Sequence, residues 1–576
     1  MNTAKYKIFS LGLALLLFVL GCKKDKLDIK IDNRELTENR VNSTVRIINL
    51  DEYNQVIANG DSLTNFVTRA SNGPDSYKYP GTSYFPLDGR LTKSWFIPQN
   101  LFNEKEEVRL QFALREYLGN GNRELDVSLK NDFAKPTDYF LMPHLFVNGQ
   151  PEVVAVPRGV TLPSKPDHFK IRIINIGANI TRPASGLTGL QEDLTGPVSL
   201  AFADGTLVDA KTNGISTANI ASEYVEVPYG TYQFRILLRD GRQLPARGSE
   251  MYEFGVIDPA SSTLPESSKR LTNLSYAPIK TYQPGGVYTI LVAPQSFNYL
   301  INDLDETTFT YQNSFQVITD VSAAVNQTYC RIQGANALAD QAVSFKASNT
   351  ALGSNLAFGM AGDYSNLVQG YHKIEALDAN GKVLASTIQV LRANQNYTAW
   401  LHPDRRGQPK LVLVSNDLSG TAYTGAQDDA SFGRLAFNFF FHKRFLNLSV
   451  GNPYVTFTTN DGQTPATGTD NVSAATNLQP GLPIFDQPYF KSVYNLQSYQ
   501  IMAYRSKPNV IPGVWASDID VLPSDSFIAN KTLYQKANRP VPVHEAGVYT
   551  VALIGNSSTN ANSANKARMI IVKHTK

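Results

Sequence analysis

The sequence VRIINL at residues 45–50 recurs as IRIINI at residues 171–176 and, more loosely, as CRIQGA at residues 330–335. A fourth copy, RLAFNF at residues 434–439, fits only with a one-residue shift. Each copy is a short run of β-branched or apolar residues, which is typical of a strand. Because self-similarity at domain-sized intervals indicates a repeat architecture, we predict four related β units.

A second signature closes each unit, where a tyrosine enters an apolar strand at residues 138–141, 287–290, 396–399 and 548–551. An alternating strand precedes three of these, at residues 230–236, 370–376 and 498–504, as expected for a strand with one buried face. In the first unit residues 108–113 take the same place. The dipeptides Asp240-Gly241 and Asn380-Gly381 favour the primed turns of hairpins. Sustained helical periodicity is absent from the sequence, so the fold class is predicted to be all-β.

These units resemble the domain of unknown function 4397 family, whose members are immunoglobulin-like β-sandwiches, often in tandem, in bacterial surface and secreted proteins. The third unit carries the fullest match, at residues 331–336, 343–347, 371–376 with 383–386, and 396–399. The resemblance implies tandem immunoglobulin-like β-sandwich domains and a surface setting. It implies no catalytic residues.

Composition sets the expected domain boundaries. A Pro-containing joint at residues 159–168 and a polar, small-residue linker at residues 417–431 separate the units. The predicted order is a signal peptide (1–21), a lipidated cysteine with a flexible tether (22–42), unit 1 (43–160), unit 2 (166–298), a linker with an edge strand at residues 315–318 (299–325), unit 3 (326–416), the linker 417–431, and unit 4 (432–576).

The composition excludes several classes of protein. The 576 residues are 42% apolar and 18% charged, as in globular chains, and the formal charge is only +3, so no electrostatic footprint for nucleic acid is present. Two cysteines exclude a disulfide-rich scaffold.

The amino-terminal residues predict export and lipidation. Lys5 and Lys7 precede an apolar run at residues 8–20, which is the length of a signal-peptide core and too short for a transmembrane helix. The run ends in Val19-Leu20-Gly21-Cys22, which resembles a bacterial lipobox. The resemblance implies cleavage before Cys22 and acylation of Cys22, including palmitate-type chains. Several acyl chains together anchor a protein stably in a membrane.

The residues after Cys22 bear on localisation. Residues 23–40 have mixed charges and few large apolar side chains, so they are expected to form a flexible tether. Lys23 resembles an outer-membrane sorting signal, and the Lys-Asp pattern resembles surface-export signals of Gram-negative glycan-foraging bacteria, although the usual adjacent acidic residues are missing. We expect an outer-membrane lipoprotein that faces the cell exterior, with the periplasmic face as the alternative.

Gly60-Asp61-Ser62-Leu63 resembles the nucleophile block of lipases named for this tetrapeptide. That chemistry requires a histidine base, in that family within Asp-x-x-His near the carboxyl end, but Val541 and Ile571 stand three residues before His544 and His574. Asn59-Gly60 also predicts an ordinary hairpin turn. As a further alternative, the segment around Ser62 resembles an O-glycosylation acceptor of Gram-negative surface proteins.

Metal sites and cofactors are not predicted. The seven histidines are scattered without an HExxH motif, and the acidic stretches at residues 303–306 and 428–429 lack the spacing of a calcium loop. Cys330, the only thiol left after lipidation of Cys22, is expected in a core, with an intermolecular disulfide as the alternative.

The aromatic residues raise the question of binding. In residues 397–401, alternation places Trp400 on the face opposite Tyr397, so Trp400 is either a ligand contact or covered by a neighbouring domain. The apolar run at residues 437–441 is expected to pack within the last unit or against a partner. We predict that the protein is not an enzyme and has a binding, adhesion or structural role, alone or beside an outer-membrane complex. The alternative is a glycan-capture lipoprotein of a nutrient-uptake system that binds surface polysaccharide.

Overall fold

The computed structural model describes most of the chain after residue 40. The described residues are 41–51, 53–65, 80–87, 89–114, 123–143, 151–179, 195–244, 279–300, 307–418, 441–459, 462–463, 472–485, 488–491, 498–534, 544–545, 547–557 and 563–576. The predicted signal peptide, Val19, Leu20, Gly21, Cys22, almost all of the tether, residues 419–431 of the linker and the repeat copy at residues 434–439 lie outside them.

The described elements are β-strands and short 3-10 turns, so the chain is all-β and its sheets form tandem β-sandwiches. The 3-10 turns are Gln99–Leu101, Ala210–Thr212, Val472–Ala474, Ser524–Phe527, Lys531–Tyr534 and Ser563–Asn565. No helix in the described residues is long and apolar enough to span a membrane. The chain divides into two compact units, Met1–Phe140 and Leu141–Lys576.

Sandwich 1 lies in the first unit. Its strands are β1 (Asn42–Asn49), β2 (Gln55–Ala58), β3 (Asp61–Ser62), β4 (Ser94–Pro98), β5 (Glu107–Leu114), β6 (Arg123–Lys130) and β7 (Thr137–Leu141). One sheet has the order β3-β2-β5-β6, and in the other β1 lies between β4 and β7. The Arg46 guanidinium of β1 donates to both carboxylate oxygens of Asp138 in β7, at 2.9 and 2.6 Å, inside the core.

Sandwich 2 follows in the second unit. After β8 (Val153–Pro157), its strands are β9 (His168–Asn175), β10 (Val198–Ala201), β11 (Val225–Pro228), β12 (Gly230–Tyr232), β13 (Arg235–Leu238), β14 (Lys280–Tyr282), β15 (Val287–Leu300) and β16 (Thr307–Val321). The main sheet has the order β11-β9-β15-β16, and β10-β13 and β12-β14 pair separately. Residues 315–318, expected as an edge strand, lie within β16 at the edge of that sheet.

Sandwich 3 contains β17 (Tyr329–Asn336), β18 (Val343–Ala347), β19 (Thr350–Leu356), β20 (Ser365–Val368), β21 (Gly370–Leu377), β22 (Val383–Leu391), β23 (Asn396–Pro403) and β24 (Pro409–Asn416). Its sheets have the orders β20-β17-β23-β24 and β19-β18-β21-β22. A core of apolar side chains, among them Phe345 and Ile374, fills the space between them.

Sandwich 4 contains β25 (Phe441–Asn447), β26 (Val455–Thr458), β27 (Phe490–Lys491), β28 (Gln500–Lys507), β29 (Val510–Trp515), β30 (Leu522–Pro523), β31 (Gly547–Ile554) and β32 (Arg568–Lys573). One sheet has the order β27-β25-β31-β32. The other has the order β26-β28-β29, with β30 also paired to β28.

The opening and closing strands of sandwiches 2, 3 and 4 pair in parallel, as β9 with β15, β17 with β23, and β25 with β31. The register aligns Arg172, Gln333 and Arg444 at equivalent positions, because each lies opposite the threonine after the closing tyrosine. The loose third copy is therefore displaced by two residues from its sequence alignment. In the fourth sandwich the equivalent arginine is Arg444, ten residues after Arg434, which lies outside the described residues.

An asparagine ends each of these opening strands and fixes the loop that follows. Asn175, Asn336 and Asn447 each donate from the side-chain amide to two backbone carbonyls, at 2.6–3.2 Å. Each Oδ1 accepts the backbone N–H two residues later, at 2.9 or 3.0 Å. These bonds satisfy loop backbone groups that would otherwise be buried without partners.

The hairpin turns follow the sequence with two corrections. Asn59 and Gly60 both have positive φ and join the paired strands β2 and β3, which is the two-residue primed turn that their sequence favours. The turn at Asn380-Gly381 does join β21 to β22, but only Gly381 has positive φ, and the N–H of Asp378 donates to the carbonyl of Lys382. This is a three-residue loop with glycine in the left-handed position. The turn at Asp240-Gly241 has the same form, since only Gly241 has positive φ and the N–H of Leu238 donates to the carbonyl of Arg242. The prediction of a primed turn is therefore wrong at both places.

Candidate functional site

Ser62 is accessible and lies in the short strand β3. Its hydroxyl donates to the carbonyl of Thr64 at 2.8 Å, and Asn59-Gly60 is used as the turn before it. The sequence has no histidine between residues 1 and 140, the compact unit that contains Ser62. The lipase-like tetrapeptide therefore lies in a hairpin whose own unit has no histidine to act as the base.

Trp400 is buried, so the prediction that it contacts a ligand is wrong. Its side chain is 0% exposed and lies between sandwiches 3 and 4, as the neighbouring-domain alternative required. The interface cluster consists of Ala335, Ala337, Trp400, Val414, Leu446, Leu448, Ala552, Ile554 and Val572. Because β23 is central in its sheet and the face opposite Tyr397 is covered by β-strands of sandwich 4, a ligand cannot reach this ring.

Cys330 lies in the core of sandwich 3 as a free thiol, 0% exposed, with Sγ 3.5 Å from the carbonyl oxygen of Leu367. Burial raises the pKa of the Cys330 thiol to about 12. This burial agrees with the expectation that Cys330 lies in a core.

No group of three or more His, Cys, Asp or Glu side chains that could hold a metal ion occurs among the described residues. The buried histidines instead serve as hydrogen-bond partners. His574 accepts or donates at both ring nitrogens, 2.9 Å from Tyr364 Oη and 2.7 Å from Thr550 Oγ1.

A cluster of buried polar groups lies where sandwiches 2, 3 and 4 meet. We call it the junction, and it consists of Gln233, Arg235, Gln333, Tyr364, Glu545, Lys573 and His574. These residues come from β13, its preceding loop, β17, the loop before β20, the loop before β31, and the segment at the end of β32. Sandwiches 2 and 4, which are not consecutive in the chain, are in direct contact here.

An ionic cluster joins sandwich 2 to sandwich 4 within the junction. The Glu545 carboxylate is fully buried and accepts from the Arg235 guanidinium and the Lys573 ammonium. Arg235 also donates to Ala203 O at 2.8 Å, and Lys573 donates to Gln233 Oε1 at 2.8 Å. Such extra bonds are what a buried ion pair needs to offset desolvation.

The charges of this cluster have coupled protonation states. Burial acts to raise the pKa of Glu545, but the adjacent Arg235 and Lys573 hold it below its usual range. Burial lowers the pKa of Lys573 to about 8, although Glu545 opposes the shift. Glu545 is therefore the anion that compensates two buried cations.

A neutral network joins sandwich 3 to sandwich 4 beside the ionic cluster. Tyr364 Oη accepts from Asn416 Nδ2 at 3.0 Å and contacts His574, while Gln333 Nε2 donates to Thr398 Oγ1 at 3.1 Å. Burial, with Arg444 nearby, lowers the pKa of His574 to about 3, so the ring stays neutral at neutral pH.

An arginine held by aromatic rings completes the contact between sandwiches 2 and 3. The guanidinium carbon of Arg331 lies 4.6 Å from the ring centroid of Tyr364 and 5.5 Å from that of Tyr232. A Cβ at Gly230 would collide with this guanidinium, so a side chain there would displace Arg331 from its present position. The cation is stabilised by two ring faces.

The outer face of sandwich 3 exposes apolar side chains on two paired strands. On β21 and β22, Tyr371 lies opposite Val390, and Lys373 lies opposite Ile388. Tyr371 is 81% exposed and Ile388 is 67% exposed. We call these four residues the Tyr371 face.

Charged side chains border the Tyr371 face. Glu375 lies opposite Ser386 and pairs with Lys373 at 2.7 Å and Lys346 at 3.1 Å. Hydrogen bonds from these two lysines hold the pKa of Glu375 below its usual range. The face thus combines an exposed ring, two aliphatic side chains and polar neighbours.

The junction was missed by sequence reasoning, whereas the R-x-x-N spacing could have located the fourth opening strand. Arg46 and Asn49, Arg172 and Asn175, and Arg444 and Asn447 share that spacing. Glu545 and Lys573 carry no comparable signal, because Arg235 and Gln233, which they contact, come from another sandwich.

The described elements thus define an all-β protein of tandem sandwiches with a polar junction and an exposed sheet face. No protein-family model matches the chain, and no curated protein matches it significantly. The resemblance to the domain of unknown function 4397 family stays a prediction from sequence.

Proposed function

We propose that the chain is an outer-membrane lipoprotein facing the cell exterior, with a non-catalytic binding, adhesion or structural role. Acylated Cys22 would hold it at the membrane, and residues 23–40 would act as the tether. The lipobox-like sequence supports the anchor, and the junction between sandwiches 2, 3 and 4 supports a role in presenting surfaces.

The observation that carries the binding role is the Tyr371 face. Apolar side chains that pair across exposed strands form contiguous patches, and such patches mark interaction sites more often than scattered single residues do. The sandwich beneath it is held at the junction, so the face has a fixed orientation relative to sandwiches 2 and 4.

Crosslinking in intact cells tests this binding role. A photoreactive amino acid at Ile388 should give a discrete crosslinked partner, whereas the same group at the exposed turn residue Asn380 should not. The double variant Tyr371→Ser, Ile388→Ser should lose the partner, and Leu162→Ser, at an exposed apolar residue elsewhere, should retain it. Equal crosslinking from both positions would contradict a role for this face.

The anchor has its own test. Cys22→Ser should release the protein from the membrane fraction, and protease added to intact cells should remove the parent protein. If Cys22→Ser stayed bound to the membrane, or intact cells protected the protein, the proposed placement would be wrong.

Glycan capture is the second candidate function, and the 81% exposure of the Tyr371 ring favours it. An exposed flat ring can stack on the apolar face of a sugar, while Lys373 and Glu375 lie within reach of hydroxyl groups. A glycan array with Tyr371→Ala as the control tests this role. If the parent protein bound no polysaccharide, or if Tyr371→Ala bound equally well, glycan capture by this face would be ruled out.

Ser62 is a candidate O-glycosylation site in the same proposal, because its hydroxyl is on an exposed hairpin. The intact mass of the native protein should exceed the mass of Ser62→Ala by more than the side-chain difference. If the two masses differ only by the mass of the replaced side-chain atoms, Ser62 is not glycosylated.

A further inference from the structure

The hairpin of β28 and β29 in sandwich 4 projects an unusual set of side chains. Lys507 lies opposite Val510 across the turn at Pro508-Asn509, and all four residues are exposed. β28 pairs with β26 on its other side, so β29 is the edge strand of this sheet.

Four large apolar residues of β29 face solvent. Val514 is 73% exposed and Trp515 is 47% exposed, and Val510 and Ile511 are also exposed. The inward residues of β28, Ile501 and Ala503, supply the core, so the exposed set is additional to what the sandwich needs. Several apolar side chains exposed on one hairpin indicate a surface that a membrane or a partner protein covers.

The charge of the hairpin favours an anionic partner. From residue 505 to residue 517 the sequence has two cations, Arg505 and Lys507, and no carboxylate. Asp518, the next acid, forms a bidentate pair with Arg505 at 2.7 Å. The exposed Lys507 therefore stands beside the apolar residues as the available cation.

Addition of a further strand at this edge is disfavoured. The register passes from Lys507–Val510 to Arg505–Val514, so three residues of β29 lie opposite Ser506 of β28, and Pro512 among them has no N–H. A bulged edge with a proline breaks the regular ladder that a partner strand would need.

We propose that the β28–β29 hairpin inserts its apolar side chains into the headgroup region of a lipid bilayer that carries anionic lipids. Aliphatic side chains gain most from transfer out of water, tryptophan suits the interfacial depth, and lysine is attracted to anionic headgroups. A sugar would offer hydroxyl groups to three aliphatic side chains, which is a poorer match. The inference goes beyond the proposed function and shares with it only the presence of a nearby membrane.

Vesicle binding by the mature chain with Cys22→Ser tests the hairpin without the acyl anchor. We expect co-sedimentation with phosphatidylcholine–phosphatidylglycerol vesicles and weaker binding to pure phosphatidylcholine. Because Trp95 and Trp400 are buried, Trp515 is the exposed fluorophore, and its emission should shift to shorter wavelength and be quenched by brominated acyl chains.

The variants separate insertion from nonspecific binding. Val514→Asp should weaken vesicle binding about tenfold or more, as expected from losing a buried aliphatic side chain, and Lys507→Glu should weaken it about fivefold or more on anionic vesicles only. Leu162→Asp is the matched control and should bind like the parent. Trp515→Phe should keep binding and lose the quenching signal.

Several results would overturn the inference. These are parent-like binding by Val514→Asp, an equal loss in Leu162→Asp, absence of quenching by brominated lipid, or a Trp515 response to polysaccharide but not to vesicles. Circular dichroism should show that each variant keeps its β-sheet content. Cell fractionation of Cys22→Ser tests the lipid anchor separately. Failure of the anchor proposal and failure of the hairpin inference can therefore be told apart.

Discussion

Trp400 and Trp515 belong to neighbouring sandwiches and have opposite surroundings. Trp400 lies on a central strand and is fully covered by sandwich 4, whereas Trp515 lies on an edge strand and is half exposed. The difference teaches that the same residue type in an alternating strand either joins two domains or forms an external surface, according to what packs on that side of the sheet.

Replacing the two tryptophans gives the largest expected difference. Trp400→Ala should lower the free energy of unfolding by about 4 kcal/mol, because it leaves a cavity between two sandwiches. Trp515→Ala should change it by about 0.5 kcal/mol or less. Urea unfolding of the mature chain measures both, and similar losses would show that the two environments are not distinct.

The ionic cluster extends the comparison to charged groups. Glu545→Gln should lower the free energy of unfolding by about 3 kcal/mol, because it leaves Arg235 and Lys573 as uncompensated buried cations. The control is Glu223→Gln, which removes an exposed pair with Lys211 and should have no measurable effect. If Glu545→Gln were as stable as the parent protein, the junction would not depend on the Glu545 carboxylate.

Two buried histidines, His574 of the junction and His544 beside Tyr499 in sandwich 4, predict how stability varies with pH. The native pKa values of His544 and His574 are both lowered to about 3 by burial, so only the unfolded chain takes up these protons as the pH falls from about 6.5. Stability should decrease by about 1.4 kcal/mol per pH unit for each histidine in that range. Urea unfolding between pH 7 and pH 5 should show a shallower slope for His574→Gln, and an unchanged slope would contradict the assignment.

Among the replacements of buried residues, the smallest expected effect lies inside a single sandwich. Cys330→Ala should cost about 1 kcal/mol, because one buried sulfur is lost from the core. In the native protein the Cys330 thiol should react with a thiol reagent only after unfolding, since it is buried and its pKa is raised. Rapid native labelling would place the thiol at the surface instead.

The fold class and the positions of the opening and closing strands were largely within reach of the sequence, because they depend on local alternation and repeated signatures. The tyrosines at residues 288, 397 and 549 do lie in closing strands that pair with the opening strands. The register was harder, since Gln333 occupies the position where Arg172 and Arg444 stand. A repeat was thus easier to detect than to align.

The surfaces between sandwiches were not predictable in the same way. Alternation showed that Trp400 faces away from Tyr397 but not what covers it. Arg235 and Glu545 have partners in different sandwiches, and no spacing along the chain links them. The exposure of Tyr371 and Trp515 likewise depends on which sheet faces stay uncovered after the sandwiches pack.

The contact between Arg235 and Glu545 joins positions that are 310 residues apart, and Gln233 and Lys573 are 340 apart. Closing such loops is slow relative to forming a hairpin, so the junction is expected to assemble after the individual sandwiches have folded. Until then Arg235, Lys573 and the surface around Trp400 remain open to water. We therefore expect newly made chains to pass through a state in which the sandwiches are folded but undocked, and to be most prone to aggregation until they dock.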